Sequence, residues 1–205
     1  MYHGIYKGAA AAAQLKKILI LGESHHDIDL STSTQDVMED YLGGKHSETF
    51  HKMALAFGIG ARESRDVERA LLWNKVFFGN YVDVSLDDPS GEGDKIAEEL
   101  ILGNKDRYNQ ELAEFIKTHE IDKVFCFSFR VFDMGLPEAP ALFPDVFKKV
   151  NGRRYNLWCA RTYGPDSLFE RNVELYGIPH PMSWRGFGAE DIAKYLKPVF
   201  EDCCG

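Results

Sequence analysis

Apolar residues fall along the chain in two distinct rhythms. Lys17-Ile18-Leu19-Ile20-Leu21-Gly22 is a continuous apolar run closed by glycine. Continuous rather than alternating apolarity predicts a strand buried on both faces, as in a parallel sheet. Residues 76–82, Val-Phe-Phe-Gly-Asn-Tyr-Val, are rich in β-formers and predict a second strand. Residues 124–128, 155–160 and 174–178 predict three more. Between them the spacing turns helical. Over 47–57, Phe50, Met53, Ala54 and Phe57 recur at intervals of three and four. Gly58 and Gly60 follow as stop signals. Helices are also expected over 35–42, 64–73 and 95–120, with Gly103-Asn104 breaking the last in two. A closing amphipathic helix carries Ile192, Tyr195, Leu196 and Val199 on one stripe. Residues 23–34 and 87–91 read as polar loops. Residues 136–144 hold three prolines and read as irregular.

Strands alternating with helices predict an α/β fold with a central, mostly parallel sheet and helices on both faces. The 205 residues suit one core better than two, so a single domain is expected over 1–205. Residues 1–15 read as a peripheral N-terminal segment. The net charge of −8 brings solubility and no global attraction to phosphate backbones, though a local basic groove stays compatible with it. Cys126, Cys159, Cys203 and Cys204 form no CxxC pair and read as buried free thiols of a reducing cytoplasm. No run approaches the ~18 apolar residues of a membrane span, and the Ala9 to Ala13 stretch lacks the apolar core of a signal peptide. A P-loop, a dinucleotide glycine loop and zinc-ligand spacing are absent, so no cofactor or metal is expected.

In open α/β sheets ligands sit beyond the carboxyl ends of the strands. Three polar features fall there. Gly22-Glu23-Ser24-His25-His26-Asp27 leaves the first strand as a dense polar cluster. Glycine permits a sharp turn and close approach of a ligand, and Glu23, His25 or Asp27 has the chemistry to orient a water or accept a proton. The alternative is an ordinary loop with solvated histidines. Asn80 stands among apolar strand residues, where its amide must find partners. Its donor and acceptor match a pyrimidine's N–H and C=O edge. His180 lies between Pro179 and Pro181, which stiffen its backbone. An imidazole so fixed suits a developing oxyanion. Met182, Ser183, Trp184 and Arg185 follow as an apolar-plus-Arg loop, suited to wedging into a base stack or to covering a sheet edge.

Taken in order, Gly-Glu-Ser-His after a buried strand, Phe-Phe-Gly-Asn-Tyr-Val, and Ile-Pro-His-Pro-Met-Ser-Trp resemble the uracil-DNA glycosylase superfamily, in its divergent bacterial glycosylase-like members. The resemblance covers roughly residues 17–196. It implies a three-layer α/β/α sandwich and a base pocket. Glu23 or Asp27 would act on water or offset sugar charge, and Asn80 would read the base. His180 would face the uracil carbonyl oxygen. Gly22, Ser24, His25, Pro181, Ser183 and Arg185 would line or flank the substrate. An aromatic, Phe50 or Phe57, would stack on the base, with Phe57 taken as the candidate. Ser24 stands where the most active relatives keep an aspartate. The thermophilic branch's iron–sulfur cysteines have no counterpart.

Three functions follow as expectations: cleavage of a uracil-like base from DNA, non-catalytic binding of a base or nucleotide, and Ser24-dependent hydrolysis with His180 as base. DNA or a free nucleobase or nucleotide is the expected partner.

Overall fold

The computed structural model describes residues 4–24, 33–60, 69–82, 93–184 and 188–204. Seven strands form one sheet: β1 (Tyr6–Lys7), β2 (Lys17–Gly22), β3 (Phe77–Asn80), β4 (Ile121–Cys126), β5 (Ala141–Val150), β6 (Arg153–Tyr163) and β7 (Val173–Gly177). Their spatial order is β1-β3-β2-β4-β7-β6-β5. Strands β3, β2, β4 and β7 are mutually parallel neighbours, while β1, β6 and β5 each join antiparallel. Because β5 reverses β6, it again runs with β7, and most strands share one direction.

Alternation along β2 divides the core. Ile18 and Ile20 pack on one face with helices α1 (Thr34–Leu42), α2 (Glu48–Ala56), α3 (Arg69–Trp73) and α5 (Ala189–Cys204). Leu19 and Leu21 pack on the other with α4 (Gly93–His119) and a π-helical turn at Val131–Gly135. Adjacent residues point to opposite faces, so a strand with no polar position needs helices on both sides. The expected α/β/α layering is what results.

Local signals set the helix ends. Ser33 caps α1 through a reciprocal capping box with Asp36. Ser47 Oγ accepts the Phe50 N–H at 3.4 Å at the start of α2. Gly58, with φ +71°, closes that helix.

Three expectations give way. Helix α4 runs unbroken through Gly103-Asn104. Glycine in an exposed helix interior costs about 1 kcal/mol, but Ile101, Tyr108, Leu112 and Ile116 all bury on the sheet, which is worth more. The Asn104 amide meanwhile donates to the Leu100 carbonyl at 3.0 Å, staying within the helix. The proline-rich stretch is irregular only to Pro140; from Ala141, Pro144 included, it forms edge strand β5. A proline is tolerated on a strand with no outer neighbour, and β5 is shifted in register at three places. Finally, residues 4–15 are more than a peripheral segment. Tyr6 and Lys7 pair with β3, and Ala11 is fully buried. Residues 61–68 and 83–92, which include part of one expected helix and the 87–91 loop, lie outside the described residues.

The chain leaves β2 through α1–α3 to reach β3 on one side, then crosses by α4 to β4 on the other. Strand β2 is therefore where the order reverses, and its carboxyl end is the place where such sheets hold ligands.

Candidate functional site

A cavity of about 140 Å³ opens at that end. Sites for drug-sized ligands run to roughly 300–1,000 Å³, so this one suits a single ring. Gly22, Glu23 and Ser24 line it from β2, Phe78 and Asn80 from β3, Phe50 and Met53 from α2, and His180 from beyond β7.

Gly22 and Asn80 are register partners on adjacent strands. A Cβ on residue 22 would stand 2.2 Å from Asn80 Oδ1, so only glycine leaves room for the amide. Asn80 is 8% exposed, and its side chain has no hydrogen-bond partner among the described residues. What exposure it keeps is toward the cavity, so the amide is not sealed off from an incoming partner. The amide faces the cavity with donor and acceptor still to be used.

His180 caps the short turn Pro181–Ser183. Its Nδ1 accepts the Met182 N–H at 3.3 Å, while its carbonyl accepts from Ser183 Oγ at 2.7 Å. Trp184 Nε1 donates to the Pro179 carbonyl at 3.0 Å, closing the loop. With Nδ1 accepting, that hydrogen bond assigns the proton of the neutral ring to Nε2, which is then a donor. Pro181 is buried, whereas Met182 is 60% exposed.

Glu23 lines the cavity but its carboxylate is engaged elsewhere. One oxygen accepts from Ser128 Oγ at 2.5 Å and the other pairs with Arg130 at 2.8 Å. Arg130 also lies 3.9 Å from Glu98. Ser128 accepts the Val131 N–H at 3.2 Å, which ties the clamp to the π-helical turn. This ion pair spans the β2–β4 boundary and fixes the chain at Glu23, directly after β2. Sequence reasoning did not find Ser128 and Arg130, although both directly follow β4 at the same sheet end.

Phe57 is not at the site. It is 1% exposed and packs edge-on against Phe125 at 5.0 Å, with Phe200 at 5.4 Å. The aromatic wall is Phe50, held edge-on by Tyr41 and Phe78, each at 5.2 Å. His25, Asp27 and Arg185 lie outside the described residues. Among the described residues, no three His, Cys, Asp or Glu groups converge as a metal site, and no helix is long and apolar enough to cross a membrane. None of the four cysteines is in a disulfide; burial pushes the Cys126 thiol far up and Cys203 to about 11.

Fold and site together define a three-layer α/β protein with a ring-sized, partly polar cavity at the switch in strand order. The chain matches no protein-family model and no curated protein.

Proposed function

We propose that this protein recognises a uracil-like base, presented by DNA, in the cavity between Gly22, Phe50, Asn80 and His180. The observation that carries the reading is the Asn80 amide, on a residue 8% exposed, opening on the cavity with donor and acceptor unused. A pyrimidine edge with adjacent N–H and C=O groups complements it. Phe50 supplies an apolar wall for the ring, and His180 lines the same cavity, where the family resemblance sets its imidazole toward a carbonyl oxygen. The ordered resemblance to the uracil-DNA glycosylase superfamily supports DNA as the source of the base, flipped from its stack. Exposed Met182, beside His180, suits the wedge that holds a stack open. Cysteines outside disulfides fit a reducing compartment, and the cytoplasm is the location this reading favours.

Recognition without cleavage is favoured by Glu23, whose carboxylate is already committed to Arg130 and Ser128. Cleavage would break the base–sugar bond, leave the electron pair on the base opposite His180, and add water to the sugar carbon. Asp27 remains as the carboxylate to orient that water. A Ser24 hydrolase is disfavoured. A triad histidine gives its Nδ1–H to a carboxylate and accepts at Nε2, whereas His180 accepts at Nδ1.

A labelled oligonucleotide carrying one uracil separates these outcomes. Tighter binding than to the matched cytosine strand, weakened at least tenfold by His180→Ala, supports the reading. Equal binding to both strands contradicts it. Release of free uracil moves the protein from binding to catalysis.

A further inference from the structure

The β5–β6 ribbon carries chemistry that the cavity does not use. Its end, Val146-Phe-Lys-Lys-Val-Asn-Gly-Arg-Arg-Tyr-Asn-Leu157, holds four cations and no acid in a chain of net charge −8. The turn is a rigid two-residue one: Asn151 and Gly152 both have positive φ, at 50° and 78°, the pattern of a tight hairpin turn that continues the strand twist.

Register shows where this end points. Cys159 of β6 is level with Gly177, the last residue of β7. Residues 153–158 therefore run past the carboxyl ends of the parallel strands, by about 20 Å at ~3.3 Å per residue. The ribbon overhangs the same end of the sheet at which the cavity opens. It leans on α5 through Trp158 against Tyr195, with ring centroids 5.6 Å apart, and through Lys148 to Asp191 at 2.6 Å. Helix α5 shares its sheet face with α2, whose Phe50 and Met53 line the cavity. The site and the basic tip thus share both an end and a face.

The arrangement of the cations is unfavourable for the ribbon by itself. Lys149 and Arg154 are exposed and directly opposite each other, and like charges so placed destabilise a strand pair. Arg153, next along β6, is exposed as well, on the other side of the ribbon by strand alternation. Arg154 lies 4.0 Å over the ring of Phe147, which is 43% exposed. Exposed cations interleaved with an accessible aromatic are the combination that holds a nucleic-acid strand, by phosphate contact and stacking.

We propose that the β5–β6 ribbon is a backbone clamp for a nucleic-acid strand, with Lys149, Arg153 and Arg154 meeting phosphates and Phe147 offering a stacking surface. It deepens the reading of the cavity as a base pocket, because the same strand would serve both. Three strand spacings, roughly 14 Å, separate β2 from β6; with the ~20 Å overhang the diagonal is about 24 Å, so about seven nucleotides at ~3.4 Å each bridge cavity and tip.

The test is fluorescence anisotropy with a labelled 20-nucleotide single strand over a salt series. The full-length protein is compared with the triple variant Lys149→Gln, Arg153→Gln, Arg154→Gln. A second variant, Lys95→Gln, Lys105→Gln, Lys117→Gln, neutralises α4 on the opposite face. The ribbon variant is expected to bind at least tenfold more weakly, with a salt slope shallower by about two. The α4 variant is expected to bind as the unaltered protein does. Circular dichroism confirms that each variant is folded, and calorimetry with free uracil reads the cavity separately. Oligonucleotide affinity unchanged in the ribbon variant, or lost equally in both, overturns the clamp. Absence of salt-dependent binding by the unaltered protein overturns it too. Absence of uracil binding with the ribbon effect intact overturns only the base pocket and leaves the clamp standing.

Discussion

The two ends of the parallel strands make an instructive pair. At the amino end, a cavity of about 360 Å³ lies between Lys16, Asp122, Lys123 and Glu174. At the carboxyl end, the cavity is smaller, about 140 Å³. Of these two the larger is at the amino end. Hydrogen bonding separates the two. Lys123, 8% exposed, donates to Glu174 at 2.5 Å, and Glu174 also accepts from the Tyr176 hydroxyl at 2.7 Å. Asp122 accepts from the Lys17 backbone at 2.8 Å and pairs with Arg171 at 3.0 Å. These side chains pair with one another across the strand ends, although the buried Arg171 Nε–H has no partner there. At the carboxyl end Asn80 keeps its capacity, and Gly22 is shaped to let it. An amide that opens on a cavity with donor and acceptor unused is fitted to an incoming partner.

The sharpest way to break this contrast is Gly22→Ala. The new Cβ displaces the Asn80 amide from its position at 2.2 Å. Uracil affinity measured by calorimetry should fall more than tenfold, about 1.4 kcal/mol. Full affinity in a folded Gly22→Ala protein would show that Asn80 is not the reader.

A paired substitution comes next. Arg130→Ala and Lys123→Met each leave a buried or half-buried carboxylate without its cation, for which about 1–3 kcal/mol of stability is expected from urea unfolding. Only Arg130→Ala should also weaken uracil binding, because only its partner Glu23 lines the cavity. Equal loss of binding in both would dissolve the distinction between the ends.

The smallest effect is a pH dependence at the amino end. Burial pushes the Glu174 carboxyl up, but hydrogen bonds from Lys123 and Tyr176 outweigh it and hold the group below its ordinary 4.5. A carboxyl held low stabilises the fold above its unfolded value and loses that contribution as pH falls through its folded one. Thermal melts of the unaltered protein and Glu174→Gln should differ at pH 7 and converge in acid below 4.5. A gap that persists in acid would mean the pair acts by packing rather than charge.

Much of the sheet's parallel half was legible in the sequence, because β2, β3 and β4 are buried on both faces and their apolar runs are continuous. Strand β5 was not. It is an edge strand bearing Lys148 and Lys149, so no buried period marks it, and Pro144 argues against a strand until the edge position is known. The break expected in α4 followed glycine propensity, which packing of Ile101 and Leu112 overrode.

The site divides in the same way. Gly22, Asn80 and His180 converge on one cavity, since each sits at a strand's carboxyl end and topology brings those ends together. Glu23 was readable as a site residue but its engagement was not, because Ser128 and Arg130 are more than a hundred positions away in sequence. Phe50 and Phe57 lie seven apart on one helical stripe, so periodicity gives both the same face. Only depth along α2 separates the cavity wall from the core.

The central claim is that Asn80 reads a pyrimidine edge. Calorimetric titration of uracil and of 3-methyluracil, which lacks the N–H, tests it against the unaltered protein and Asn80→Ala. The account predicts saturable uracil binding, at least tenfold discrimination against the methylated ring, and loss of that discrimination in the variant. Indifference of the unaltered protein to the methyl group, or discrimination surviving without Asn80, would contradict it.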